Sequence, residues 1–283
     1  MSGILWLLVA YKNLDQVDDF VDSLRAIPGS GRFSYAICDN SPMPGVSRHT
    51  GSPDTVVVAR PDNPGYLEGA LVGLDAHTRA GGSPEWVAIS NTDLELRSGN
   101  PLDALASHDP GRPLVIAPRI TEGESLIEKN PHVLERRSLG RLRANAIVAR
   151  TPRAAMLYQL GSLVRWKLSH KRGTTRHDST SWEHRFPAGT QFYSPYGAIV
   201  FFSRGFFSVG GLPRNVPLLS EEYFVAEAAV DAGAPVLYEP AIHVHHAANI
   251  TTGPKVTLAR ARGTSKAFRT IYRDAADRRG GHA

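Results

Sequence analysis

The stretch Trp86-Val87-Ala88-Ile89-Ser90-Asn91-Thr92-Asp93 decides how the rest of the chain is read. Five small or apolar residues are followed at once by three polar ones. An unbroken run of that kind suits a parallel strand buried on both faces, and the polar triplet then falls at its carboxyl end. Upstream, Ile4–Ala10 is continuously apolar and reads as another central strand. Leu14, Val17, Phe20, Val21 and Leu24 follow at helical spacing, and Pro28-Gly29 ends that helix. Phe33 to Cys38 and Thr55 to Ala59 are two more strands, with Asp39-Asn40-Ser41-Pro42 as turn chemistry between them. A helix follows from the Asn63-Pro64-Gly65-Tyr66 loop to about Arg79, and Leu114 to Ala117 is a fifth strand. Strands alternating with helices predict an α/β fold with a mostly parallel, Rossmann-like sheet flanked by helices. In such sheets ligands bind outside the carboxyl ends of the strands.

Beyond Ile120 the pattern weakens and the charge turns basic. Met156 to Leu168 reads as an amphipathic helix, and Lys171 to Arg185 as a polar, mobile loop carrying Trp182. Order returns with a strand at Ala198–Phe202, a helix over Glu221–Ala232, a short strand at Val236–Tyr238 and another ending in Ile242–His246. With no repeat and no sharp linker, residues 1–283 read as one catalytic domain. Its parts are 1–118, a basic insertion or lid at 119–191, a segment at 192–254 and a basic C-terminal helix at 255–283.

The chain has 283 residues, of which 42% are apolar and 21% charged, with a formal net charge of +5. That is ordinary globular composition, so disorder is not expected. The basic residues crowd between Arg136 and Arg185 and again between Lys255 and Arg279. Such runs are read either as solvated helical faces or as a surface for phosphorylated ligands or anionic lipid. Cys38 is the one cysteine, which excludes an intrachain disulfide and a zinc–thiolate cluster. The N-terminal apolar run is too short to span a bilayer and has no basic flank, so a cytoplasmic protein is expected.

Four constellations carry chemical potential. Asn91-Thr92-Asp93 offers an aspartate to a hard divalent cation, or is a plain strand-to-loop turn. Glu221-Glu222 is a carboxylate pair suited to general-base work, or a helix first turn behind Ser220 as N-cap. His243-Val244-His245-His246 places two histidines on one strand face and the third on the other. Gly65 and Gly69 let backbone approach a ligand ahead of a helix N-terminus, yet their spacing fits neither the P-loop nor the dinucleotide fingerprint.

In this order these segments resemble glycosyltransferase family 2, the inverting enzymes of the GT-A fold, and in particular its rhamnosyltransferase-like branch. The resemblance is strongest over 4–118 and 196–253. Val9-Ala10-Tyr11 is similar to the first-strand end, and Cys38-Asp39-Asn40-Ser41 to the segment whose aspartate contacts the nucleotide base. Asn63-Pro64-Gly65-Tyr66-Leu67-Glu68-Gly69 resembles the donor loop, and Ser90-Asn91-Thr92-Asp93 an N-x-D form of the DxD metal motif. Tyr196-Gly197-Ala198 and Phe206 to Leu212 resemble the stretch leading to the acceptor side. Glu221-Glu222 falls on the acidic pair whose second member is the base.

The resemblance implies a nucleotide-sugar donor (dTDP-, UDP- or GDP-linked), held by Tyr11, Asp39, Asn63, Gly65, Tyr66 and Asn91. It implies Mg2+ or Mn2+ on Asp93 and on a histidine, His245 or its neighbour His246, and catalysis by Glu222 with Glu221 beside it. The partner would be a hydroxyl-bearing acceptor, phosphorylated or lipid-linked, with room for a homodimer and for contact with the inner membrane face. Three departures stand out: Gly69-Ala70-Leu71-Val72-Gly73 lacks the usual asparagines, Ala228 replaces an arginine, and glutamate replaces aspartate as base. The rival readings are a nucleotidyltransferase, which lacks its basic glycine-rich signature here, and a basic nucleic-acid binder, which lacks a reading motif.

Overall fold

The computed structural model describes residues 3–123, 126–171, 186–247 and 257–280, with side chains from 162 to 171 not described. β1 (Ile4–Ala10) is apolar throughout because it is covered on both faces and paired on both edges. Its even-numbered residues Ile4, Trp6 and Leu8 face α1 (Leu14–Arg25), which contributes Val17, Phe20, Val21 and Leu24. Its odd-numbered Leu5 and Leu7 face α2 (Tyr66–Arg79), which contributes Leu67, Ala70 and Leu71. The period of two along the strand thus sorts one sequence run into two cores. Fully burying each such side chain contributes roughly 1.5–3 kcal/mol.

β2 (Phe33–Asp39), β3 (Thr55–Ala59) and β4 (Trp86–Ser90) complete a parallel half-sheet in the order β3-β2-β1-β4. Past β4 the sheet is mixed. β9 (Ile199–Ser203) lies antiparallel between β4 and β6 (Val115–Glu122), and β10 (Val236–His246) runs parallel to β6. β5 (Leu94–Ser98) closes the edge antiparallel to β10. The short β7 (Ile127–Glu128) and β8 (Gln191–Phe192) pair with β6 and β10.

These directions put many chain segments on one edge. β1, β2, β4, β6 and β10 all end there, while β5 and β9 begin there. Asn91 N donates to Ala198 O at 2.8 Å, locking the end of β4 to the start of β9.

The two short strands expected at 236–238 and 242–246 are one strand, with its register shifted between Glu239 and His243. Pro240 lies in that irregularity, as a residue without a backbone donor should. β5 was not anticipated, although Leu94-Glu95-Leu96-Arg97 alternates as an edge strand does. In the basic middle the helix is longer than expected, α5 (Pro152–Lys171), and is preceded by α4 (Leu139–Val148). Of the loop expected over Lys171 to Arg185, Lys171 ends α5, and residues 172–185, with Trp182, lie outside the described residues. α3 (Pro101–Leu105) and α6 (Arg204–Ser208) are short.

α7 (Glu221–Asp231) and α8 (Leu258–Gly280) complete the chain. Ala149, Ala155 and Ala261 bring α4, α5 and α8 together, with Met156 and Phe268 packed against them. Tyr223 OH donates to Asp274 at 2.9 Å and Arg278 Nε to the same carboxylate at 2.6 Å, which ties α8 to α7. No helix among the described residues is long and apolar enough to cross a membrane.

Candidate active site

The edge shared by the strand ends carries the chemistry. Asp93 leaves β4 through Thr92, whose hydroxyl accepts from Asn13 Nδ2 at 3.3 Å. Its Oδ2 lies 3.2 Å from Nε2 of His246, the last residue of β10. The other ring nitrogen, Nδ1, is 3.2 Å from Glu122 Oε1 at the end of β6. Glu122 also pairs with Lys129 and accepts from Tyr196 OH at 2.6 Å.

Burial alone would lower the His246 pKa, but the hydrogen bonds to Asp93 and Glu122 outweigh it and hold the imidazole up at about 9. Burial likewise opposes the ionised form of Glu122, yet His246, Lys129 and Tyr196 bring its pKa down to about 2. The Tyr196 phenol is pushed up by burial and by donating to Glu122.

His245, one of the histidines expected to hold a cation, lies apart from Asp93. It shares its strand face with His243, and both rings lie near Thr121 Oγ1, at 3.4 and 3.1 Å. Alternation along β10 turns His246, not His245, toward Asp93.

Tyr196 connects this centre to the acidic pair. Its ring stands 6.0 Å from that of His246 and 5.5 Å from that of His132. Its backbone N donates to Asn130 Oδ1 at 2.8 Å, which holds the segment before β9 in place. The next N–H, of Gly197, donates to Glu222 Oε1 at 3.1 Å, and His132 Nε2 lies 3.6 Å from the other oxygen.

Glu222 occupies the first turn of α7, with its side chain 40% exposed. Burial would raise its pKa, but His132 and the Gly197 N–H hold the carboxyl below its ordinary range. Glu221 goes the other way: burial raises it and the neighbouring Glu222 adds to that, against the pull of backbone N–H groups at 219–221. The pair is therefore split into an ionised Glu222 and a more proton-retentive Glu221. Ser220 stands at the N-cap position, but its hydroxyl bonds back to Pro217 O, so the expected side-chain cap is not made.

The residues expected to hold a donor are also on this edge. Gly65 precedes α2 with φ 100° and ψ 175°, a conformation open essentially to glycine alone, and its carbonyl accepts from Asn40 Nδ2 at 3.0 Å. Gly69 makes that approach feasible, since a Cβ there would sit 2.9 Å from Asn40 Nδ2. The Tyr66 hydroxyl is buried without a hydrogen-bond partner among the described residues, and burial with the nearby Glu221 and Asp93 charges pushes its pKa up. Tyr11 is exposed at the end of β1, with the Lys12 ammonium over its ring, and Asn63 is exposed in the loop before α2 with φ 45°.

Asn91 is half-buried and spends its backbone on the junction with Ala198. Asp39 is 2% exposed, and its two oxygens accept from Ser41 N and Gly45 N, each at 2.9 Å. It braces the 41–45 loop from the carboxyl end of β2.

Glu122, Lys129, Asn130, His132 and Tyr196 were not singled out as site residues from the sequence. Tyr196 lay within a recognised segment, whereas Glu122 to His132 carry no periodicity or motif that points to them.

No family model matches the sequence, and no curated protein does. Among solved structures the chain is similar to GalNAc-T7 with UDP, GalNAc and Mn2+ at 12% identity, covering 87% of this chain and 44% of that one, with a TM-score of 0.52. It is also similar to the catalytic domain of Drosophila beta1,4galactosyltransferase 7 complexed with xylobiose, at 12% identity over 91% and 69% of the two chains, TM-score 0.41. A third is S. aureus TarS, at 11% identity over 87% and 36%, TM-score 0.49. The chain thus spans less than half the length of the first and third. The likeness to the first is one of fold: this is a mixed α/β protein of the GT-A type, a central sheet flanked by helices.

Proposed function

We propose that the chain is an inverting, metal-assisted glycosyltransferase that takes a nucleotide-diphosphate sugar to an acceptor hydroxyl, of the family 2, rhamnosyltransferase-like kind. The observation that carries this reading is the convergence of Asp93, His246 and Glu122 at three strand ends, one tyrosine away from Glu222 at a helix N-terminus. It is supported by the fold neighbour crystallised with UDP, GalNAc and Mn2+.

The donor set fits a divalent cation. Among the described residues no group of three or more His, Cys, Asp or Glu side chains forms a metal cage. A Mg2+ or Mn2+ site at a diphosphate needs only one or two protein ligands, with phosphate oxygens and water completing it. Asp93 Oδ2 would supply one, and His246 Nε2 the other once it has released the proton it holds against Asp93. Glu122 holds Nδ1, which fixes the ring and leaves Nε2 as the ligating nitrogen. When bound, the cation neutralises charge on the departing diphosphate.

The protein's own residues do the rest. Glu222, ionised and reachable from solvent, accepts the proton of the acceptor hydroxyl while that oxygen attacks the anomeric carbon from the face opposite the diphosphate. Gly197 N–H holds Oε1 of Glu222, and Oε2, beside His132 Nε2, takes the proton. The unpartnered Tyr66 hydroxyl donates to the donor sugar or diphosphate, a contact its burial demands. Tyr11 and the backbone at Asn63 and Gly65 border the nucleotide, and Asn91 shapes the loop beneath it.

A thermal-shift panel of UDP, GDP and dTDP with and without Mn2+ tests the donor half, because a ligand of the native state raises its stability. No cation-dependent shift with any of the three would refute it.

A further inference from the structure

Glu222 borders a cavity that the reaction just described does not use on its donor side. The walls come from the 132–137 segment, α4, the start of α7 and the second half of α8. Leu142, Tyr193, Tyr223, Phe268 and Ile271 make them largely apolar and aromatic. Three arginines also line the cavity. Arg136 is committed, its guanidinium bound to the Glu227 carboxylate, which is only 1% exposed and also accepts from Tyr193 OH at 2.5 Å. Arg137 and Arg279 have no carboxylate partner among the described residues. Arg279 Nη2 donates to the Arg137 carbonyl at 2.8 Å, so α8 and the 137 segment are held side by side. The Tyr223–Asp274–Arg278 bonds keep α8 from swinging away, so the cavity is preformed.

We propose that this cavity is the acceptor site and that it takes an acceptor with a ring or other apolar body and an oxyanion group, carboxylate or phosphate. Arg137 and Arg279 receive the oxyanion, and the acceptor hydroxyl then lies at Glu222. The inference rests on Glu222 being the base. The physical case is independent of the donor. Arg137 and Arg279 both line the cavity, and an oxyanion bound there can accept from guanidiniums that have no carboxylate partner among the described residues. The aromatic walls select the body of the ligand by stacking and edge contacts.

The test is calorimetric titration of the full-length protein with phenyl phosphate, benzoate and neutral phenyl β-glucoside. One or both anions should bind at least about tenfold more tightly than the glucoside, since a hydrogen bond to a charged group is worth that much per contact. The stronger of the two identifies the oxyanion. Arg137→Ala/Arg279→Ala should abolish the preference, and Arg137→Lys/Arg279→Lys should keep part of it.

The same proteins are given UDP with Mn2+ as a control of folding and of the donor half. If the anion preference is present and arginine-dependent but UDP with Mn2+ gives no shift, the anionic cavity stands and glycosyl transfer falls. Equal binding of charged and neutral probes, or a preference that survives the alanine pair, overturns the proposal.

Discussion

Asp93 Oδ2 and His246 Nε2 lie 3.2 Å apart although 153 residues separate them in the chain. The contact exists because β10 ends at the sheet edge where β4 ends, with β5 returning from that edge alongside β10. His246→Ala should therefore weaken cation-dependent nucleotide stabilisation about tenfold or more, the scale on which ligands and their supporting residues act. His245→Ala should change it little, because that ring points to Thr121. Thermal shift with UDP, with Mn2+ or with EDTA, separates the two; a larger loss for His245→Ala would reverse the assignment.

Glu222→Gln keeps shape and removes the proton acceptor. Turnover should fall by about 100- to 10,000-fold, the usual worth of a positioned base, with donor KM nearly unchanged. Glu221→Gln should cost much less. Steady-state kinetics of the two variants decides between the members of the pair.

The pH profile follows from the same carboxyl. Its pKa is held below the ordinary glutamate value of 4.5, so the base form is present at neutral pH and is lost only as pH falls through the lowered value. The acidic limb of kcat/KM should accordingly lie below pH 4.5. Replacing His132 with Gln removes the charge that lowers it, and the limb should move upward. A limb that stays in place in that variant contradicts the role given to His132.

Tyr66→Phe removes a buried hydroxyl that has no partner among the described residues. Stability should hold or rise slightly, since an unsatisfied buried donor is a cost. Donor KM should rise about tenfold if the hydroxyl serves the donor, again the worth of one hydrogen bond to a charged group. Comparing melting temperature with donor KM reads both effects in one variant.

Glu227 is the buried charge of α7, neutralised by Arg136 with Tyr193 donating to it. Arg136→Ala should cost about 3 kcal/mol in urea denaturation, because a buried carboxylate loses its main partner. The nearby Arg278 Nε, 3.9 Å from Glu227, keeps the loss from being larger.

Gly65→Ala places a Cβ on backbone at φ 100° and should cost about 1–3 kcal/mol while raising donor KM, since the loop before α2 must shift. A melting curve together with donor titration checks both.

Much of the first half was legible because its rules are local. Ile4–Ala10, Thr55–Ala59 and Trp86–Ser90 are apolar runs of strand length, and Val17, Phe20, Val21 and Leu24 recur at helical spacing. The edge alternation in Leu94–Ser98 was equally local and was passed over beside the polar triplet. What followed Ile120 was harder, because α4 and α5 are basic helices with weak amphipathic patterning and their packing depends on alanines meeting α8.

By itself the sequence determined that the chain would build a strand-and-helix fold whose first four strands lie parallel, and that polar residues would collect at their carboxyl ends. Hydrophobic period and turn chemistry act over a few residues, so they survive without coordinates. Only the tertiary structure decided that His246 rather than His245 meets Asp93, that Glu122 and Tyr196 join the site, and that Asp39 spends its carboxylate on its own loop. Those outcomes depend on strand register, and a shift of one residue turns every side chain to the opposite face. Register is set by pairing between segments far apart in the chain, and composition and spacing do not encode it.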